Sequence, residues 1–386
     1  MLWVAGISLR ITILAIPPVL PLVHRSLTLG EAAVGALTGL PIFLLAAGAI
    51  GGSLAIARIG ARRAWMIGLL LVAVGSAARG AGPSAPMLYG MTFVMGLGIA
   101  ICQPAAPTII GEWFPGSIAL ATAVYVNGLL VGETLSAALT IPYLLPLLGG
   151  SWEWSLVVWS LPVWLALVLF ALSVREEPPR RAGTLQWWPD WHDGLVWQLG
   201  LLFGGASVAY FGSNAFIPDY LHAAGRSELI APSLTILNAG QLPGSFLTLF
   251  VAHRLAGRRD VFVALGAIVL ASLVTFLFAP VWLALIAIGF TGAATSFTMV
   301  MTLALPPMVS AQHNIHRLTA GILTLSYGMT FAGSLAAGAL WDATHVALAA
   351  FVPAFLGGIA LLALGSRLRI RMTRGTAAQT MTRDLA

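Results

Sequence analysis

The chain has 386 residues, of which 59% are hydrophobic and only 8% charged. Ordinary soluble domains carry about 25% charged residues. With 19 basic and 13 acidic side chains this chain cannot cover a water-exposed surface, which excludes a soluble enzyme, a nucleic-acid-binding module and a disordered chain. All the bases are arginine, and their positions decide what the formal charge of +6 means. One cysteine, Cys102, leaves no disulfide framework and no multi-cysteine metal site, so neither metal nor cofactor is expected.

A membrane-crossing helix needs about 20 mostly apolar residues. Stretches that meet this condition fall at 3–23, 34–56, 65–80, 87–109, 119–147, 154–174, 196–219, 231–252, 261–279, 281–305, 318–340 and 345–365. The expected fold is therefore an all-α membrane protein with twelve transmembrane helices. The first stretch has no basic residues ahead of it, Arg10 interrupts it and no small-residue cleavage site follows, so it reads as a retained span rather than a signal peptide. Only Pro280 separates the ninth stretch from the tenth.

Placing the N-terminus in the cytoplasm puts 15 arginines on cytoplasmic segments: Arg58, Arg62 and Arg63; Arg175, Arg180 and Arg181; Arg254, Arg258 and Arg259; Arg317; and Arg367, Arg369, Arg371, Arg374 and Arg383. Arg25, Arg79 and Arg226 fall in external loops, and Arg10 lies within the first span. This asymmetry obeys the positive-inside rule, with both termini cytoplasmic. The basic rim would meet anionic lipid headgroups, and no nucleic-acid partner is expected.

The chain repeats itself. Arg58-Ile59-Gly60-Ala61-Arg62-Arg63 matches Arg254-Leu255-Ala256-Gly257-Arg258-Arg259 at an offset of 196, and Asn127-Gly128 matches Tyr327-Gly328 at 200. Pro21 and Pro218 close the first and seventh spans. The predicted organisation is an N-terminal six-helix bundle (1–174), a cytoplasmic interfacial linker (175–195), a C-terminal six-helix bundle (196–366) and a basic cytoplasmic tail (367–386). The linker holds Trp187, Trp188 and Trp191, residues suited to a membrane–water interface.

Two parallel six-helix halves with arginine-rich loops after the second and eighth spans resemble the major facilitator superfamily of secondary transporters. In its loop pattern, Gly-x-x-x-Asp-Arg-x-Gly-Arg-Arg, Ala57 stands here at the Asp position. The resemblance is closer to the cyanate-porter branch. It rests on Leu9-Arg10 ahead of Pro17-Pro18-Val19-Leu20-Pro21, on Gly96-Leu97-Gly98-Ile99-Ala100 with Pro107 and Phe114-Pro115, and on Phe216-Ile217-Pro218. Ser8 replaces the branch's usual Asn, and Glu112 a frequently basic position. The resemblance implies two pseudo-symmetric bundles, alternating access, a monomer in the bacterial inner membrane, and gating loops built on Arg58, Arg62, Arg63, Arg254, Arg258 and Arg259.

Few groups are left to handle a solute. Arg10 lies about 10 Å into the first span at 1.5 Å per residue. A charge there costs at least about 2.5–3.5 kcal/mol, so it should face a cavity or a partner. A guanidinium offers a forked donor to an anion or a strongly polar solute; the alternative is an arginine that snorkels to the interface. Glu133 is the other deep charge, about 20 Å along the fifth span. Burial favours its protonated form and a nearby arginine its ionised form, so it is a candidate for proton coupling; the alternative is a fixed ion pair with Arg10. In the second half, Tyr210, Asn214, Asn238, Gln241 and Tyr327 are candidate substrate-binding residues, joined in the first half by Gln103 and Asn127. The superfamily places their spans beside a central cavity. Smaller hydroxyls at helical spacing read as interhelical hydrogen bonds.

The pairs Gly48/Gly52, Gly128/Gly132 and Gly240/Gly244 have the spacing that lets helices approach closely, and the resemblance places their spans at the contact between halves. Pro104, Pro107, Pro306 and Pro307 should bend the fourth and tenth spans. No HExxH, GxSxG or Walker loop occurs, so an enzyme is not expected and energy must come from ion gradients. The expected function is secondary active transport of a small anionic or polar solute, such as cyanate, nitrate, nitrite, a small organic anion or a nitro compound. A drug-exporting proton antiporter of the same fold is the alternative, although Gly128 and Gly132 lack the Gly-Pro pair usual in such antiporters. A membrane sensor is a more remote one.

Overall fold

A computed structural model describes residues 1–27, 31–82, 84–172 and 186–368. Among the described residues, twelve helical stretches are long and apolar enough to cross a membrane. The linker residues Arg175, Glu176, Glu177, Arg180 and Arg181 and the tail beyond Leu368 lie outside this description.

The first span is α1 (Leu2–Leu14), one 3-10 turn (Pro17–Val19) and α2 (Leu20–Leu27). The expected continuous helix over 3–23 is thus broken. Pro17 and Pro18 supply no N–H to the carbonyls of Ile13 and Leu14, and their rings clash with a continuing helix. The second, third and fourth spans are α3 (Glu31–Ile59), α4 (Ala61–Ala78) and α5 (Ala85–Trp113). The fifth is α6 (Ile118–Leu139), extended by a π-helical turn (Thr140–Leu144) and the short α7 (Leu145–Leu147), where Pro142 and Pro146 interrupt the regular pattern. The sixth is α8 (Trp152–Leu172). The second set comprises α9 (Gly194–Ala223), α10 (Ile230–Leu255), α11 (Arg259–Phe278), α12 (Val281–Ala304) with the short α13 (Pro306–Val309), α14 (Ile315–Thr344) and α15 (Val352–Ser366). Pro306-Pro307 ends α12, whereas Pro104 and Pro107 stay inside α5.

The helices gather into two compact units. The first holds Met1–Ile109 and Val124–Pro189; the second holds Ile110–Ala123 and the chain from Asp190 onward. Within the first unit α8 packs against α4 and α1; within the second, α15 packs against α11 and α9. The sixth span thus meets the third and first as the twelfth meets the ninth and seventh. The repeat extends to the turns: Gly60 and Gly257, in the two arginine-rich loops, take φ of 87° and 79°, a left-handed conformation that favours glycine. Around them Arg58, Arg63, Arg254, Arg258 and Arg259 are exposed and Arg62 is half-buried.

The glycine pairs have nearest neighbours inside their own units. A Cβ on Gly128 or Gly132 would strike the backbone oxygens of Trp3 and Ile7, so the fifth span is seated on the first. Gly48 and Gly52 face Ala100 and Pro104 of the fourth span, and Gly240 and Gly244 face Gly289 and Ala293 of the tenth. These glycines therefore close helix pairs within each bundle.

Arg79 also departs from expectation. It is not an external loop residue: it caps α4 and is fully buried, with its side chain turned back toward α1. Cys102 is buried as well, its Sγ 3.7 Å from the Trp65 carbonyl and pressed against Gly68.

Candidate functional site

In the first unit the two deep charges meet. Arg10 Nε lies 3.3 Å from Glu133 Oε2, with side chains only 9% and 13% exposed. The sequence placed Glu133 outward of Arg10 by simple rise, but the glycines bring the two levels together. Gly6 sits against the Tyr125 carbonyl, Gly128 against Trp3 and Gly132 against Ile7, so α1 and α6 run parallel with their backbones nearly touching. One turn on from this seam, a short reach suffices to join Arg10 and Glu133. The same seam continues toward the C-terminal ends of both helices, where Ser136 Oγ donates to the Leu14 carbonyl at 2.7 Å.

Neighbouring groups on these helices are engaged locally. Trp3 Nε1 donates to Asn127 Oδ1 at 2.9 Å, which gives that candidate a structural partner. Ser8 Oγ donates to the carbonyls of Val4 (2.7 Å) and Pro162 (2.8 Å), tying α1 to α8. Gln103 is buried on α5, outside these hydrogen bonds.

The second unit has a neutral counterpart of different construction. Gln241 Nε2 donates to the Tyr210 hydroxyl at 2.7 Å, and that hydroxyl donates to Asn238 Oδ1. Asn238 Nδ2 in turn donates to Asn214 Oδ1 at 3.0 Å and to the Leu234 carbonyl at 2.8 Å. Asn214 Nδ2 reaches the Tyr210 carbonyl at 3.3 Å. Four of the predicted binding residues are thus one chain of hydrogen bonds between α9 and α10. Tyr210 and Gln241 are each 5% exposed, so the amides and the phenol need one another when no ligand is bound. Ser207 and Ser326 share a further bond of 3.1 Å between α9 and α14. Tyr327 is buried, its ring edge-on to Phe203 at 6.2 Å.

The second arginine-rich loop holds an ion pair. Arg258 grips Asp260 with a fork, Nε to Oδ1 at 3.1 Å and Nη2 to Oδ2 at 2.6 Å. The hydrogen bonds and negative charge of Asp260 hold the exposed Arg258 guanidinium above its ordinary pKa. The first loop has Ala64 at the position corresponding to Asp260. Beside the linker, Ser53 Oγ donates to the Trp187 carbonyl at 2.6 Å, and Asp193 caps α9 through the Leu195 N–H at 2.9 Å.

The residue that sequence reasoning missed is Arg79. Its Nη2 donates to the Thr12 carbonyl at 2.7 Å and to Ser76 Oγ at 3.1 Å. The available signal was an accounting one. A double proline in a membrane span leaves carbonyls without donors, and buried backbone groups must find partners.

Similarities to known proteins agree with this architecture. The sequence profile of the Major Facilitator Superfamily matches residues 2–305. The chain is 25% identical over 346 residues to an uncharacterised transporter, YycB, of Bacillus subtilis, covering 88% of this chain and 85% of that one. It is 31% identical over 251 residues to the 2-nitroimidazole transporter of Escherichia coli (64% and 63% covered). To the cyanate transport protein CynX of Escherichia coli it is 27% identical over 325 residues (82% of each). Among solved structures, the Escherichia coli fucose:proton symporter FucP aligns with a TM-score of 0.74 at 14% identity, over 96% of this chain and 98% of that one, which bears on the fold alone. Twelve apolar helices in two repeated sets, a deep ion pair, and relatives that are transporters rather than enzymes lead to one conclusion: the chain is a multi-pass membrane transporter that belongs to the major facilitator superfamily and resembles its cyanate-porter branch.

Proposed function

We propose that the protein carries a small anionic or electron-rich polar solute across the bacterial inner membrane by alternating access. The class comprises cyanate, nitrate, nitrite, small organic anions and nitro compounds such as 2-nitroimidazole. The observation that carries the reading is the buried Arg10–Glu133 pair. A carboxylate neutralises the guanidinium while no solute is present, and an arriving anion competes for the same cation. Once the anion holds Arg10, Glu133 has lost its counter-charge and accepts a proton, which couples uptake to the proton gradient. The hydrogen-bonded amides and phenol on α9 and α10 exchange partners with an uncharged polar group at little cost, since each has a bond to give and one to regain. The exposed loop arginines face the cytoplasmic leaflet and its anionic headgroups, with both termini on that side.

Support comes from chemistry and kinship together. A guanidinium suits planar anions and nitro groups, and two relatives carry cyanate and 2-nitroimidazole in their names. The test is uptake into proteoliposomes of labelled cyanate, nitrate and 2-nitroimidazole, with and without an imposed pH gradient. Arg10→Ala should abolish uptake of the solute that wild type carries; wild-type rates in that variant would overturn the role of Arg10. Glu133→Gln should keep counterflow exchange and lose pH-driven accumulation; undiminished accumulation would end the coupling assignment. Transport of lipophilic cations in place of all three solutes would favour a drug exporter.

A further inference from the structure

Arg79 is a buried cation that the ion pair does not explain. It is 0% exposed. Among the described residues no carboxylate lies within ion-pair distance of it, whereas Arg10 and Arg258 each have one. Its Nε and Nη1 are buried without hydrogen-bond partners, so the side chain bears a desolvation cost that its two bonds through Nη2 must offset. A group that costly is retained for what it holds.

What it holds is the carbonyl end of α1. The helix stops at Leu14 because Pro17 and Pro18 follow, and its last carbonyls point out of the helix with the negative end of the helix dipole behind them. Two neighbours serve that end. Arg79, from the end of α4, donates to the Thr12 carbonyl, and Ser136, from α6, donates to the Leu14 carbonyl that Pro18 cannot reach. Arg10 lies two residues before Thr12, and Glu133 three before Ser136. The clamp on the break and the ion pair therefore share the same two helices, less than one turn apart.

The other half of the molecule supplies the control. At the offset of 197 set by Pro21 and Pro218, Pro17 and Pro18 become Asn214 and Ala215, and Arg79 becomes Phe276. There α9 continues unbroken from Gly194 to Ala223 through Pro218. The double proline of the first span and the buried arginine occur together in one half, and at the corresponding positions of the other half both are absent.

We propose that Arg79 is a positioning residue for Arg10: by fixing the carbonyl end of α1 it sets the register at which Arg10 meets Glu133 and is presented to solute. The importance of Arg10 to transport rests on the function proposed above; the positioning claim does not, and it has its own readout. Thermal unfolding midpoints are measured on the purified full-length protein in detergent for wild type and Arg79→Gln. The same substitution is then made in a background lacking the pair, Arg10→Gln/Glu133→Gln. Arg79→Gln should lower the midpoint by roughly 4 °C or more in wild type, and by less than half as much without the pair, since coupled sites are non-additive. Arg79→Lys, which keeps the charge and a donor for Thr12, should recover most of the loss. Equal losses in both backgrounds would show a role in packing alone and overturn the proposal. Should Arg79→Gln yield no folded protein, Ser136→Ala removes the second bond to the break, and its smaller loss must likewise shrink without the pair. In proteoliposomes assayed with cyanate, nitrate and 2-nitroimidazole, Ser136→Ala should raise KM about threefold for the carried solute while kcat changes less, and Arg79→Lys, which keeps the bond to Thr12, should raise it by a smaller factor; an unchanged KM in Ser136→Ala would count against positioning. If wild type moves none of the three, the proposed function falls while the stability cycle still decides the role of Arg79.

Discussion

Arg10 and Glu133 in the first unit correspond, at the offsets of the repeat, to Ser207 and Gly333 in the second. One helix pair, α1 with α6, carries a buried charge pair on a glycine seam; its counterpart, α9 with α14, carries a serine–serine hydrogen bond. The second unit instead places its polar groups one helix over, as the Tyr210–Asn238–Gln241 chain between α9 and α10. The same fold element is therefore built in two ways. A buried charge pair discriminates by charge, because removing either member leaves the other unpaired in an apolar medium. A neutral amide and hydroxyl network discriminates by shape and hydrogen-bond pattern, and loses little when one partner is exchanged.

The contrast is broken most severely by Arg10→Ala. Leaving Glu133 unpaired in the membrane should cost about 3–5 kcal/mol, read as a large drop in the thermal midpoint, and Arg10→Ala/Glu133→Ala should be more stable than Arg10→Ala alone. Next is the glycine seam. Gly128→Ala places a methyl against the Trp3 carbonyl and should destabilise by about 1–3 kcal/mol. At its repeat counterpart, Gly328, an added methyl would meet nothing within 4 Å, so Gly328→Ala should be neutral or stabilise by up to about 1 kcal/mol through helix propensity. Equal effects at the two glycines would mean that the halves pack alike after all. Tyr210→Phe should cost about 1–2 kcal/mol by orphaning the Gln241 and Asn238 groups, and should alter selectivity among neutral polar solutes more than the preference for anions. The smallest effect is expected at Asn127→Ala, where a half-exposed Trp3 loses one hydrogen bond, about 0.5–1 kcal/mol in the same melting assay.

Much of the architecture was legible because apolar length is a strong signal in a chain with so few charges. Pro280 alone separated the ninth and tenth spans in the sequence, and α11 indeed ends at Phe278 while α12 begins at Val281. Tyr210, Asn214, Asn238 and Gln241 were recognisable as polar groups needing partners, but the sequence could not show that they partner one another. Side-chain pairing across helices depends on the rotation of each helix, which hydropathy leaves undetermined when a helix is apolar all round. The same gap hid the glycine contacts. Gly128 and Gly132 announced a close approach without naming Trp3 and Ile7 as the surface approached. Arg79 was misplaced for a different reason. It stands at the end of an apolar run, where an arginine ordinarily turns outward, and only the needs of a broken helix on another span draw it inward.

Buried Cys102, wedged between the Trp65 carbonyl and Gly68, has a practical consequence. A thiol so enclosed gives maleimides little access, and the chain contains no lysine side chain to compete for them. Single cysteines introduced along α1, α9 or the arginine-rich loops would therefore be the principal labelling targets in the otherwise native protein. The opening and closing of each face could then be followed by fluorophore attachment rates without first building a cysteine-free background.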